Sequence, residues 1–408
     1  MHILLIHQAF AAIDEPGGTR HHEIAQKLTE RGHEVTIITS PVSYLTGKSM
    51  RENIPWVEKQ EAEPGITVVR AYTYPALHRS FVHRVFSFLS FMVSSFFIGL
   101  TVKDIDLVWG TSPPIFQSVT AWALARIKRV PFLLEVRDLW PAFAIAVGIL
   151  QQPILIRAAE WLERFLYRHA DQVVVNSPGF IDHLHSHGAI HVELVPNGAD
   201  TSMFDPQAKG ENFRHIHGLA DRFIALYAGA HGMSNDLGVM LAAAEMLIDR
   251  DDIILVLLGD GKEKPALQSQ ARDMALTNLK FIPPIPKKEM PIALAAADAC
   301  IAILKPIPLY ATVYPNKVFD YMAAGRPVVL AMEGVIREVI MSANSGIAIP
   351  PGDPTALAEA IIYLADHPQD GIDMGLKGRE YNRNHFDRPA QARKFGQIIE
   401  KMVNSNKV

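Results

Sequence analysis

What most constrains this chain is a rhythm of short apolar runs alternating with helix-period stretches, run through twice along 408 residues. The opening cycle is the clearest. A run at 1–6 leads through Gly17-Gly18 into a helix over 19–31, Gly32 ends that helix, and a second strand follows at 34–39. Strands at 67–71, 106–109, 131–136 and 172–175 continue the first series. A second series has strands at 223–228, 253–258, 279–282, 300–304 and 327–330, with helices at 237–250 and 317–324. Parallel neighbours need a crossover between them, so this alternation predicts an α/β protein with parallel sheets covered on both faces. One core organises about 100–200 residues, and 408 residues in two series therefore predict two Rossmann-like domains. The turn-rich stretch from Pro196 to Gly210 marks the seam, which gives domains 1–205 and 206–375 and C-terminal helices 376–408 that return toward the first domain. Ligands of such sheets lie beyond the carboxyl ends of the strands, so the two sheets are expected to face a central cleft.

Composition narrows the function. Lys and Arg number 39 against 43 Asp and Glu, a net charge of −4 that leaves no footprint for a nucleic-acid backbone. A single cysteine, Cys300, excludes an intrachain disulfide and any multi-cysteine metal site, and its apolar surroundings read as strand interior. The start lacks a basic stretch followed by a cleavable apolar region, so the expectation is a cytoplasmic protein. Residues 85–102 carry no charge between Arg84 and Lys103, near the shortest length of a membrane span. Ser80, Arg84, Ser87, Ser90, Ser94 and Thr101 fall on one helical stripe, however, and the flanking strands belong to one domain, so a crossover helix is expected. Two readings of its apolar face stand open: core packing, or contact of 79–102 with the inner face of the cytoplasmic membrane. In the second, His78, Arg79, His83 and Arg84 lie at one end and Phe86, Phe88, Leu89, Phe91 and Phe97 are the inserting side chains.

Two segments carry chemistry. The loop from Asp14 to Arg20, with Gly17 and Gly18, lies between the first strand and helix, where backbone amides meet an anion or a polar substrate, although Pro-Gly-Gly is also a plain turn. In Tyr314-Pro315-Asn316-Lys317-Val318-Phe319-Asp320, Asn316 is placed to cap a helix whose free amides form a diphosphate site, and Lys317 adds charge there. Asp320 lies one turn, about 5.4 Å, along the same face, at ribose distance; a surface helix with an internal Lys–Asp pair is the plain alternative. No metal site is expected. Asp249-Arg250-Asp251 sits at a turn, and His183, His185 and His187 are read by their alternation, which does not build a zinc-binding helix face. On 154–169, Leu155, Ala159, Leu162 and Leu166 form a core stripe opposite Arg157, Trp161, Arg164 and Arg168. The basic residues of the last helices, among them Arg379 and Arg388, are read as a solvated face.

The stretch Asn316-Lys317-x-Phe319-Asp320-Tyr321-Met322-Ala323-Ala324-Gly325-Arg326-Pro327 resembles the nucleotide-sugar signature of retaining GT-B glycosyltransferases of family 4. Gly17-Gly18, Val195-Pro196-Asn197-Gly198 and Tyr227-Ala228-Gly229 resemble other motifs of that family, so the likeness covers nearly the whole chain. Glu135-Val136-Arg137-Asp138-Leu139-Trp140-Pro141 is similar to the branch that builds bacterial surface polysaccharides, including amino-sugar transferases of O-antigen synthesis. The resemblance implies a GT-B fold, no metal or other cofactor, a nucleotide-sugar donor and a glycan or lipid-linked glycan acceptor. It places Lys317, Arg137 and Asp138 as catalytic residues, with Gly17, Gly18, His231, Asn235, Lys305, Thr312, Asn316 and Asp320 around the donor. The sequence departs from the family at three points. Thr312 stands where an acidic residue is usual, Ala230 to Asp236 replace a basic pair at the diphosphate, and Arg137 replaces a histidine before Asp138. The expected activity is retaining transfer of a hexosyl or N-acetylhexosaminyl group in lipopolysaccharide or exopolysaccharide synthesis. A nucleotide-sugar 2-epimerase and a catalytically silent scaffold of a polysaccharide assembly complex are the alternatives.

Overall fold

The computed structural model describes residues 1–405 apart from 16, 44–46, 48, 50–52, 77, 78 and 220, so the reading that involved His78 lies outside the described residues. Contacts divide the chain into two units. The first comprises Met1–Ala12, Gly18–Pro196 and the chain from Pro389 onward, and the second Ile13–Gly17 and Asn197–Arg388.

The first unit runs β1 (His2–Ile6), α1 (Arg20–Thr29), β2 (Glu34–Thr39), β3 (Val57–Glu63), β4 (Ile66–Ala71), α2 (Phe81–Thr101), β5 (Leu107–Ser112), α3 (Ile115–Lys128), β6 (Phe132–Val136), α4 (Ala142–Ala146), α5 (Pro153–His169), β7 (Gln172–Val175), α6 (Ile181–Ser186) and β8 (Val192–Leu194). Its eight strands lie in the order β3-β4-β2-β1-β5-β6-β7-β8, parallel except for the β3–β4 edge pair. Steps from β4 to β5, β6 and β7 run one way along the sheet, so right-handed crossovers put α2, α3 and α5 on one face. The step from β1 to β2 runs the other way and puts α1 on the opposite face, where Ile24, Ala25 and Leu28 share a core with Ile3, Leu5 and Trp109.

The second unit runs α7 (Glu211–Ile216), β9 (Phe223–Ala228), α8 (Gly238–Met246), β10 (Ile253–Leu258), α9 (Lys264–Asp273), β11 (Leu279–Ile282), α10 (Met290–Ala296), β12 (Ala299–Ile303), α11 (Asn316–Ala323), β13 (Val328–Ala331), α12 (Val335–Ala343), β14 (Gly346–Ala348), α13 (Pro354–Asp366) and α14 (Pro368–His385). Its six strands are ordered β11-β10-β9-β12-β13-β14 and all parallel. The strands Ile253–Leu258 and Ala299–Ile303 are buried throughout, as strands covered on both faces require. Cys300 is in that interior, where burial pushes its thiol pKa up. The last helix, α15 (Arg388–Ser405), packs Ala392, Phe395, Ile399 and Val403 into the first unit's core.

The basic residues of α14 and α15 are not all solvated. Arg379 donates to the carbonyls of Ala323 and Thr201, and Arg388 is 2% exposed and donates to the Gly198 carbonyl and to Asn316 Oδ1. A guanidinium's fixed fork suits it to gathering carbonyls from separate segments, which an unpaired charge inside the fold does not. Asp249-Arg250-Asp251 lies at a turn, with Arg250 bound to Asp252 and Asp366 at 2.8 Å each.

Candidate active site

In the second unit the carboxyl ends of β9 and β10 turn through glycines whose backbones other groups approach closely. Gly229 has φ +154 and Gly259 φ +148. A side chain at Gly229 would begin 2.8 Å from Lys317 Nζ, and one at Gly259 would collide with the Gly229 carbonyl at 1.9 Å. Between these turns His231 is fully buried, its N–H donating to the Asp260 carbonyl at 2.8 Å. Neither ring nitrogen of His231 has a hydrogen-bond partner. Burial first, then the nearby charges of Lys264 and Lys317 against that of Asp260, brings its pKa down to about 4, so the ring is neutral at pH 7. Such a group wants a ligand: one N–H to give and one lone pair to fill.

Lys317 lies beside it in the first turn of α11. Its ammonium donates to the Tyr227 hydroxyl at 2.6 Å and stands 3.8 Å over that ring, while the Tyr227 hydroxyl donates to the Ala230 carbonyl at 2.7 Å. Burial lowers the Lys317 pKa to about 7. The helix end is built differently from the sequence expectation. Pro315 occupies the N-cap position and no side chain caps the helix; Asn316 instead accepts from Arg388 at 2.7 Å. The first-turn amides are thus left without a side-chain acceptor, which keeps the helix end suited to an anion.

Asp320, 9% exposed, carries an ion pair that the sequence did not suggest: Lys287, in a short helical turn Lys287–Glu289, meets Asp320 Oδ1 at 2.5 Å. Removing this carboxylate would strand a buried ammonium, so Asp320→Asn tests folding along with any ribose contact. Lys305 is tied to the loop after β9, its N–H donating to the Ser234 carbonyl at 3.0 Å, and the Asn235 N–H closes the same loop on Gly232 at 3.0 Å. Thr312 turns its hydroxyl to the Leu309 carbonyl at 2.7 Å. Gly17 belongs to the second unit and Gly18 to the first, both exposed. His231 and Lys317 are therefore brought together, Asn235 and Lys305 share one loop system with His231, and Asp320 and Asn316 are engaged by Lys287 and Arg388.

The first unit gathers charge at the end of β6. Glu135 is completely buried and accepts from Arg20 Nε at 2.8 Å and His21 Nε2 at 2.7 Å, while the Arg20 guanidinium also holds the Val195 and Pro196 carbonyls at 2.8 Å. Burial alone would raise the Glu135 pKa, yet His21 and Arg20 hold it well below the usual carboxylate range. Burial brings His21 down to about 4 against the pull of Glu135, so the neutral ring donates its Nε2–H. The His7 ring packs against that of His21 at a tilt of 47°, centroids 4.1 Å apart, and His7 Nε2 and His21 Nδ1 are buried without hydrogen-bond partners. Two residues on, Arg137 donates to the Pro113 carbonyl at 3.1 Å, and burial pushes Asp138 up to about 6 despite Arg137. Among the described residues no hydrogen bond joins Arg137 to Asp138. His7 and Lys287 were missed as site residues; the loop ending at Arg20, read as meeting an anion or a polar substrate, pointed toward this cluster.

Two parallel-sheet units of this topology are the GT-B plan. Sucrose-phosphate synthase from Thermosynechococcus elongatus matches it with a TM-score of 0.78 at 20% identity, over 99% of each chain. Anabaena HepE in complex with UDP-glucose matches with a TM-score of 0.72 at 17% identity, over 98% of this chain and 100% of that one. Residues 17–198 match the family described as glycosyl transferase 4-like domain, and 222–367 match glycosyl transferases group 1. A putative colanic acid biosynthesis glycosyl transferase of Escherichia coli (strain K12) is 26% identical over 321 residues, 76% of this chain and 78% of that protein. The chain belongs to this glycosyltransferase family.

Proposed function

We propose that this enzyme transfers a hexosyl or N-acetylhexosaminyl group from a nucleoside diphosphate donor to a lipid-linked glycan, with retention, in making a bacterial surface polysaccharide. The observation that carries the donor reading is the buried, unpartnered His231 beside Lys317 at the uncapped end of α11. UDP-glucose in the HepE complex and colanic acid in the name of the Escherichia coli relative support the donor class and the pathway. As the glycosidic bond to the donor breaks, charge grows on the departing diphosphate, and fixed amides with Lys317 stabilise it without a metal. Arg137 and Asp138 are the residues proposed to act at the transferred sugar or the acceptor. The family match gives no support to the 2-epimerase alternative.

The test is a melting and calorimetry screen of UDP-, GDP-, dTDP- and ADP-sugars and the free diphosphates. One base should stabilise the protein, and His231→Ala should weaken that ligand about tenfold or more, the worth of a hydrogen bond to a charged group. Binding by none of them defeats the donor reading. Isomerised sugar from donor alone would mean an epimerase, and binding without turnover over a broad acceptor panel would mean a scaffold.

Helix α2 supports a peripheral membrane contact through 79–102. It is long and apolar enough to cross a bilayer, yet β4 and β5 at its two ends lie in one parallel sheet, so it is a crossover. Its serines face inward: Ser87, Ser94 and Ser95 are fully buried, and Ser94 donates to the Tyr72 carbonyl at 2.6 Å. Val82, Phe86, Val93, Phe97 and Leu100 form the exposed stripe. On the same sheet face α5 exposes Ile154, Leu155 and Trp161 beside Arg157, Arg164 and Arg168, an arrangement suited to anionic lipid.

A further inference from the structure

The alternation of His183, His185 and His187 conceals a spacing of four. His183 lies in α6 and His187 is its C-cap, so the two rings share one helix face, stacked with centroids 3.9 Å apart. They meet Glu163 of α5, whose side chain is 1% exposed. His183 Nε2 is 2.9 Å from Oε1 and His187 Nε2 4.0 Å from Oε2, and the donor atoms of all three residues lie within 4.8 Å of one another. We propose that Glu163, His183 and His187 form a divalent metal site, of zinc-type chemistry, that fastens α6 to α5.

The hydrogen bonds around His187 already hold it in ligating form, while His183 Nε2, which donates to Glu163 Oε1, gives up that proton when the ion binds. His187 Nδ1 lies 2.8 Å from the His183 carbonyl, which only accepts, so the proton of the neutral ring is on Nδ1. Its Nε2 then turns a lone pair toward Glu163 Oε2, two acceptors facing each other across a gap too long for a hydrogen bond and fit for a shared cation. A ring N–H given to a backbone carbonyl is the usual support of a metal-bound histidine. The carboxylate is supported as well, by the Tyr167 hydroxyl donating to Oε1 at 3.0 Å. Ligands about 2.0–2.1 Å from a tetrahedral ion stand about 3.3 Å apart, between the two N···O separations present, so small side-chain shifts admit the ion. Two imidazoles and one carboxylate match zinc, cobalt or nickel rather than magnesium or calcium. The His183 and His187 side chains are 22% and 23% exposed, which leaves the fourth position to water. The site belongs to the first unit, and the donor residues His231 and Lys317 to the second.

The experiment uses tag-free, full-length protein freed of metal with EDTA. Zn²⁺ titrated in a calorimeter should bind with one tight equivalent and raise the melting temperature, and Co²⁺ should give the visible bands of a tetrahedral N/O site. His187→Ala leaves the His183–Glu163–Tyr167 hydrogen bonds in place, so its metal-free melting should equal that of the parent while Zn²⁺ affinity falls more than about 100-fold. Tyr167→Phe, which removes only the support of the carboxylate, should cost about tenfold. His187→Gln, retaining a polar side chain, should lose Zn²⁺ in the same way and answers any folding defect of the alanine variant. Absence of tight Zn²⁺ binding in the parent, or equal binding by the His187 variants, overturns the proposal; so does insensitivity to Tyr167→Phe for the supporting role of that hydroxyl.

Discussion

The Lys317 ammonium, over the Tyr227 ring with its pKa brought to about 7, is only partly charged at neutral pH. A diphosphate arriving at the end of α11 favours the protonated form and raises that pKa. At pH 8 the free enzyme has mostly lost this proton, so binding must take one up; at pH 6 it is already present. Nucleoside diphosphate affinity should therefore weaken as pH rises from 7 to 9, with close to one proton absorbed at pH 8. Calorimetry in two buffers of different ionisation enthalpy measures this, and equal heats in both would refute it; Lys317→Ala should abolish the uptake. The sequence made Lys317 legible because charge, helix end and glycine turn sit in recognisable local patterns. It hid what qualifies that site. Lys287 is 33 residues from Asp320 and Arg388 is 72 from Asn316, pairings that no local periodicity encodes. His231 was visible as a residue, but not the isolation of its ring nitrogens, with Gly259 packed close to Nε2 and Gly261 against the His231 backbone.

Among elements, α2 inverts the usual logic of an amphipathic helix, since its hydroxyl stripe packs inward and its apolar stripe outward. Ser90, Ser94 and Ser95 each satisfy the hydroxyl on a nearby carbonyl, as Ser94 does on Tyr72 and Ser95 on Met92, while the Ser87 hydroxyl is buried without a hydrogen-bond partner among the described residues. Their periodicity was legible, and the direction it faced was not. Of the five proposed inserting residues, Phe91 is fully buried, Phe88 and Leu89 are half-buried, and Phe86 and Phe97 are 58% and 55% exposed. The variant Phe86→Gln/Phe97→Gln should thus leave the melting temperature within a degree or two and release the protein from anionic liposomes in flotation. Unaltered liposome binding would remove this helix from the contact. Sequence periodicity also failed on β3, because Val57–Glu63 is almost wholly polar and exposed, an edge strand whose charges guard its outer side against further pairing. The three-residue strands β8 and β14 are too short to show a period at all. On α5, Leu155 was assigned to the core stripe but stands 46% exposed in the first turn of the helix.

At the scale of the whole molecule the chain leaves the first unit at Pro196 and re-enters it at Pro389, so the last helix completes a core begun by the first strand. Phe395 is fully buried there, its ring 4.5 Å from that of Trp109. Truncating such a side chain costs about 3–5 kcal/mol through lost transfer energy and the cavity left behind. A chain of two units need not melt in one step, and weakening one of them separates the transitions. Phe395→Ala should therefore bring the first unit's melting down by about 10 °C, given about 2–4 °C per kcal/mol for a unit of this size. The nucleotide sites argued above lie on β9, β10 and α11 of the second unit, so saturating nucleoside diphosphate should leave that early transition in place. At about 100 times its dissociation constant, it should add about 2.7 kcal/mol to the later one. Scanning calorimetry of the variant with and without ligand reads both effects. A ligand that raised the early, Phe395-sensitive transition instead would move the nucleotide to the first unit, to the His7, His21 and Glu135 cluster, and would leave His231 and Lys317 without the role given to them.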